Sequence, residues 1–191
     1  HVEHGIRGRE SLDDAAFCEN LCRKMNVSLH IVSIDVPAES ARTGEGLETA
    51  ARRLRHEALE RIRISVNADR IALAHHLNDQ AETVLMHLLR GSGVKGACGM
   101  PRDDGRLYRP LLGFSKSELE AFLDARGLKW RTDSTNLVSN TPRNALRLNA
   151  IPALEKSYPN AQRALSRFAE CVQVENRFME REVDRFLSAR L

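Results

Sequence analysis

Residues 70–89, where a short apolar run turns straight into an amphipathic helix, leave this chain the least conformational choice. Arg70, Ile71, Ala72, Leu73 and Ala74 read as a parallel strand covered on both faces. From there Leu77, Ala81, Val84, Leu85 and Leu88 recur three and four apart, which puts them on one stripe of a helix turning about 100° per residue. On that wheel Asp79 lies almost opposite the stripe, with His75 and Glu82 beside it and His76 nearer its flank. Taken singly, each of these reads as a solvated helix face or as an acid complementing the helix dipole. Crowded together at the carboxyl end of a buried strand, where open α/β sheets hold their ligands, they mark a candidate site.

The flanking segments fit an α/β chain. His1 to Gly8 reads as the tail of a strand running into a glycine loop. Ser11 with Asp14 predicts a helix start, and Leu12, Ala15, Ala16, Cys18, Cys22 and Met25 its buried side. Residues 29–34 are a β-branched run closed by Pro37, and a polar loop with Gly44 and Gly46 follows. Leu47, Ala50, Ala51, Leu54, Ala58, Ile62 and Val66 mark a long helix. Its surface carries Arg52 and Arg55 together, with Arg53 pointing elsewhere and Glu48, Glu57 and Glu60 as ordinary partners.

Gly91, Gly93 and Gly96 spell a dinucleotide-binding pattern in the wrong place, since they follow a helix. Gly91 is therefore expected to end it in a left-handed cap. Residues 109–112 read as extended, Ser115 with Glu118 as a capping box, Gly127 as a helix end, residues 128–130 as an edge strand, and Asp133 to Asn136 as a turn. Arg143 and Arg147 stand four apart at a helix start. A cation there opposes the helix dipole, so Arg143 calls for a phosphate or carboxylate partner. From Asn160 onward a long helical pattern runs without strand signals.

Composition narrows the class. A 42% hydrophobic and 29% charged chain is globular, its net charge of +3 permits an anionic partner without requiring one, and no apolar run spans a bilayer. Cys18, Cys22, Cys98 and Cys171 form no CxxC pair, which suits reduced thiols and a cytoplasmic setting.

In order, the runs HVEHGIRG, ETAARRLRH, AHHLNDQAETVLMHLLRGSG, MPRDDGRLYRPLL and DSTNLVSNTPRNALR followed by IPAL resemble the tRNA(Ile)-lysidine synthases, a branch of the PP-loop ATP pyrophosphatases, from His1 to about Leu154. The resemblance implies a Rossmann-like parallel sheet of the adenine nucleotide alpha hydrolase kind with flanking helices, then a helical C-terminal segment. It implies a PP-loop catalytic domain over 1–150 and a helical linker or the start of a further domain over 151–191. The implied activity is ATP-dependent ligation of free lysine to C2 of the wobble cytidine of tRNA(Ile) with a CAU anticodon, through an adenylated intermediate. ATP and Mg²⁺ are the implied cofactors, and a homodimer is a possible assembly.

Residue by residue, the resemblance assigns Asp79, Glu82, His76 and Arg143 to catalysis. It assigns His4, Gly5, Arg52 and Arg55 to the nucleotide, and Arg143 with Arg147 to tRNA. Two departures stand out. The family's SGGxDS phosphate loop is not in this sequence, so the chain reads as a fragment expected to turn over only when that loop is supplied. Asn78 and His56 stand where relatives frequently carry Asp and Tyr.

Three other readings compete. A PP-loop tRNA thiolase would call for paired cysteines. A non-catalytic RNA-binding module would gain nothing from Asp79 and Glu82 at its centre. A metal hydrolase would draw on His75, His76, Asp79 and Glu82, which lack the i, i+4 histidine pair of helical zinc sites.

Overall fold

The computed structural model describes residues 1–4, 9–131 and 141–190 in two compact units, His1–Ile71 and Ala72–Leu191. The glycine loop with Gly5 and the turn from Asp133 to Asn136 lie outside the described residues.

In the first unit β1 (Val2–Glu3) pairs in parallel with β2 (Val32–Ser33), Val2 opposite Val32. The helix between them, α1 (Arg9–Met25), makes the crossover that parallel strands require. Its buried side differs from the expected one: Leu12 is 65% and Met25 60% exposed, while Ser11 is buried. Ser11, Ala15, Cys18 and Cys22 follow i, i+4, i+7 and i+11, so the inward stripe runs through Ser11 and Leu12 lies 100° beyond it. Residues 36–43 are helical, not a loop. Asp35 caps α2 (Val36–Thr43), accepting the Ala38 N–H at 2.9 Å, and Pro37 sits in the first turn where its missing N–H costs nothing. The expected long helix is α3 (Leu47–Ser65), which buries Ala50 and Ala58.

The second unit opens at the end of β3 (Ile71–Ala72), which pairs with β4 (Leu107–Tyr108). Burial alternates along this strand: Ile71 and Leu73 are buried, Ala72 and Ala74 exposed, so one face is covered where two were expected. The run at 109–112 is a turn and not an extended piece, since Leu112 N–H and Phe114 N–H close back on the carbonyls of Arg109 and Leu111. Helix α4 (Leu77–Leu89) ends as expected, with Gly91 at φ +74°. The short α5 (Val94–Ala97) follows. The side chain of Gln80, buried in α4, holds the next loop by accepting the Met100 N–H at 2.8 Å and donating to the Met100 carbonyl at 3.0 Å.

Ser115 and Glu118 cap α6 (Lys116–Asp124) reciprocally. No strand forms at residues 128–130, which leave the α6 end with no strand beside them among the described residues. Thr141 caps α7 (Pro142–Ala145), a π-helical turn spans Leu146–Ala150, and α8 (Ile151–Ser157) completes the run. Pro152 accounts for the π turn: it offers no N–H to the residue 148 carbonyl and its ring crowds that group, so the helix widens and Ile151 N–H reaches the Leu146 carbonyl. The 28-residue α9 (Ala161–Ser188) packs its first half on α4, burying Ser166, Ala169 and Val172. No described helix is long and apolar enough to cross a membrane.

Candidate active site on helix α4

The first turn of α4 is fixed by its own side chains. His76 takes the cap position usually held by Ser or Thr. Its Nδ1 accepts the Asp79 N–H at 3.3 Å, while Asp79 Oδ2 accepts the His76 N–H at 3.0 Å. An accepting Nδ1 places the neutral ring's proton on Nε2. Two otherwise orphaned amides are satisfied, and the Asp79 carboxylate is aimed back over the helix start.

Glu82 is one turn further along. The helical wheel places it on the polar side, yet its side chain is only 2% exposed, because Arg143 and Arg147 arrive from α7 and the π turn to cover it. Arg143 Nε donates to Glu82 Oε2 at 2.8 Å; Arg147 donates through Nε to Oε1 at 2.6 Å and through Nη2 to Oε2 at 2.8 Å. Both guanidiniums also reach Asp79 Oδ1, at the longer distances of 3.5 and 3.3 Å. Hydrogen bonding to Glu82 and the charge beside it raise the Arg147 pKa further against the opposing effect of its own burial. Of the two partners expected for Arg143 at a helix N-terminus, a phosphate or a carboxylate, the structure supplies the carboxylate of Glu82, supported by Asp79.

Beside this cluster opens a cleft of about 400 Å³. Glu82, Arg147, Asn78 and Lys116 supply polar walls, and Leu148 with Ile151 an apolar one. Asn78 does more here than fill a variable position. Its Nδ2 donates to Gln162 Oε1 at 2.7 Å and its Oδ1 accepts the Lys116 N–H at 2.8 Å, tying α4 to the starts of α6 and α9. A carboxylate could not make the donated bond. The sequence carries a faint signal for this role, a polar residue immediately after a helix cap.

Of the predicted site residues, the structure brings His76, Asp79, Glu82, Arg143 and Arg147 together in the second unit. His4, half-buried, lies in the first unit, as do Arg52 and Arg55, which are exposed on α3 and have no hydrogen bond or ion pair to a described residue. The α3 arginine with carboxylate partners is Arg53, which binds Glu39 at 3.0 Å, Glu45 at 2.9 Å and Glu57 at 3.1 Å. Glu60 pairs with Arg63 at 2.8 Å.

Arg42, and after it Arg53, hold the Glu39 carboxyl down to about 2. A depressed folded-state value contributes stability above the unfolded value near 4.5 and loses it as pH falls toward 2. The difference in urea midpoint between the wild type and Glu39→Gln should accordingly be constant near neutrality and shrink steadily below pH about 4.5. An unchanged difference at pH about 3 would mean that these ion pairs are not formed in solution.

Two carboxylates neutralised by two guanidiniums are poor ligands for a divalent cation, which would have to displace an arginine. Among the described residues no group of three His, Cys, Asp or Glu side chains is placed to hold one. The arginines suit phosphate oxygens, for which a planar fork of donors is matched.

The chain is 40% identical over 172 residues to the tRNA(Ile)-lysidine synthase of Porphyromonas gingivalis strain W83, covering 89% of this chain and 38% of that protein. It is 40% identical over 184 residues to the enzyme of the same name from Thermus thermophilus, covering 96% and 36%. A third, from Symbiobacterium thermophilum, is 44% identical over 165 residues, covering 84% and 34%. The chain thus spans little more than a third of the length of these relatives. In fold it is similar to the U34-tRNA thiolase NcsA of Methanococcus maripaludis, solved with its [4Fe-4S] cluster, at a TM-score of 0.71 and 19% identity over 90% of this chain and 61% of that one. The PP-loop domain family matches residues 1–154, four-fifths of the sequence, and the chain belongs to that family.

Proposed function

We propose that this chain is the catalytic part of a tRNA(Ile)-lysidine ligase, with ATP, free lysine and the CAU-anticodon tRNA(Ile) as its substrates. The observation that carries the reading is the buried Glu82 holding two arginines beside a less tightly bound Asp79, with Glu82 and Arg147 in the wall of a cleft. In the first step the C2 oxygen of cytidine attacks the α-phosphorus of ATP and pyrophosphate leaves. Arg143 and Arg147, already oriented by Glu82, neutralise the charge that collects on the phosphoryl oxygens. In the second step the lysine amine attacks C2 and AMP leaves with the oxygen.

An amine attacks only when neutral, so a carboxylate must take its proton. Asp79 is the better placed of the pair: its side chain is 14% exposed and its arginine contacts are long, whereas Glu82 is filled by three short ones. Glu82 is then a positioning residue. Arg52 and Arg55, exposed and without described partners, are the groups of the first unit suited to further phosphates. Mg²⁺, which phosphoryl transfer commonly employs, is not assigned to Asp79 or Glu82.

The test is incorporation of labelled lysine into a tRNA(Ile) transcript with ATP and Mg²⁺, using this chain alone and this chain joined to an SGGxDS phosphate-loop segment. Incorporation with the joined form establishes the ligase. ATP-dependent release of pyrophosphate with sulfur transfer in its place would establish the thiolase chemistry, and no ATP turnover in either form would leave an RNA-binding module.

A further inference from the structure

We infer that Trp130, with Lys129 next to it in the chain and Arg126 four residues before it, is a stacking platform for an unpaired base of the RNA substrate. The inference rests on the reading of this chain as a tRNA-modifying enzyme and adds a surface to it. Helix α6 ends in a tight reversal: Gly127 adopts φ +62°, its N–H donates to the Asp124 carbonyl at 2.9 Å, and the Leu128 N–H reaches back to the Leu123 carbonyl at 3.0 Å. This paired closure fixes the path of the chain as it leaves the helix. The segment it delivers is Leu128, Lys129, Trp130 and Arg131, and it pairs with no strand among the described residues.

Trp130 is 39% exposed, and Lys129 and Arg131 on either side are exposed cations. The last turn of α6 adds a second aromatic with a cation. Phe122 is 52% exposed, and the Arg126 guanidinium lies 3.8 Å from its ring centroid. Chain length alone keeps Trp130 within about 14 Å of Arg126. An exposed ring interleaved with cations suits a partner that offers flat π-faces and phosphates in alternation, which is single-stranded nucleic acid. A purely apolar partner would take the exposed Lys129 out of water without offering it an acceptor, and a duplex keeps its bases stacked inside.

Trp130 is the only tryptophan in the chain, so its emission reports on this surface alone. The 191-residue chain is titrated with an RNA stem–loop bearing the CAU anticodon and, separately, with the same stem as a closed duplex. The expected result is saturable quenching and protection from acrylamide with the stem–loop and not with the duplex. By polarisation of labelled RNA, Trp130→Ala should bind about tenfold more weakly and Trp130→Phe nearly as well as the wild type. Binding of the stem–loop with unchanged tryptophan emission and accessibility would overturn the platform and leave the ligase reading standing. Equal quenching by the duplex would overturn base stacking, and no RNA binding of any kind would overturn both the platform and the proposed partner.

Discussion

Replacing Glu82 by Ala should lower the unfolding free energy of this chain by about 3 kcal/mol, measured by urea denaturation followed by far-UV circular dichroism. Removing one member of a buried ion pair costs about 3–5 kcal/mol because the remaining charge is left without a partner. Here two guanidiniums lose their main acceptor together. The lower end of that range is expected because the side chains of Arg143 and Arg147 keep 28% of their exposure, so water can screen them once the carboxylate is gone. A loss below about 1 kcal/mol would place the cluster among ordinary surface pairs. A cycle with Arg147→Ala separates the pair from its surroundings: the double variant should be less damaged than the two single losses sum to, by about 1–3 kcal/mol. The same substitution should abolish ATP turnover in the form carrying the phosphate loop, since arginines without Glu82 are no longer held at the cleft.

The polar crowding at the start of α4 is readable from the chain; that two arginines close over Glu82 and bury it is not. The demand of Arg143 for a phosphate or a carboxylate follows from one cation in one helical turn, and the structure sets Glu82 against it. The wheel for α4 puts Glu82 at the correct angle, but an angle does not say which element will cover it. The covering arginines lie more than sixty residues further along the chain. Local chemistry is legible wherever it is self-contained, as in the Ser115 and Glu118 capping box and the left-handed Gly91. It fails where a partner decides the outcome. Residues 128–130 have strand-like composition but no neighbouring strand among the described residues, and Ala72 and Ala74 are small enough to suit either an exposed or a covered face. Leu12 reads inward on hydrophobicity, whereas the stripe set by Ala15, Cys18 and Cys22 passes through Ser11.

Asp79→Asn should separate the two chemical steps of the proposed reaction, with the fold kept. The amide retains an oxygen to accept the His76 N–H, so the capped start of α4 survives, and the unfolding free energy should change by no more than about 1 kcal/mol. Adenylation depends on the arginines and on Glu82, which still holds them through three short hydrogen bonds. Pyrophosphate release should therefore persist in the phosphate-loop form. Lysine transfer should fall by about 10²–10⁴-fold, the usual contribution of a positioned base. The pH dependence identifies the cause. A lysine amine titrates near pH about 10.4, so a variant without the acceptor must wait for amine already neutral in solution, and its rate should climb about tenfold per pH unit from neutrality upward. The wild type, which takes the proton within the site, should rise far less over the same range. Equal slopes for the two proteins would remove Asp79 from the proton's path, and a parallel loss of pyrophosphate release would show that it supports the arginines as Glu82 does.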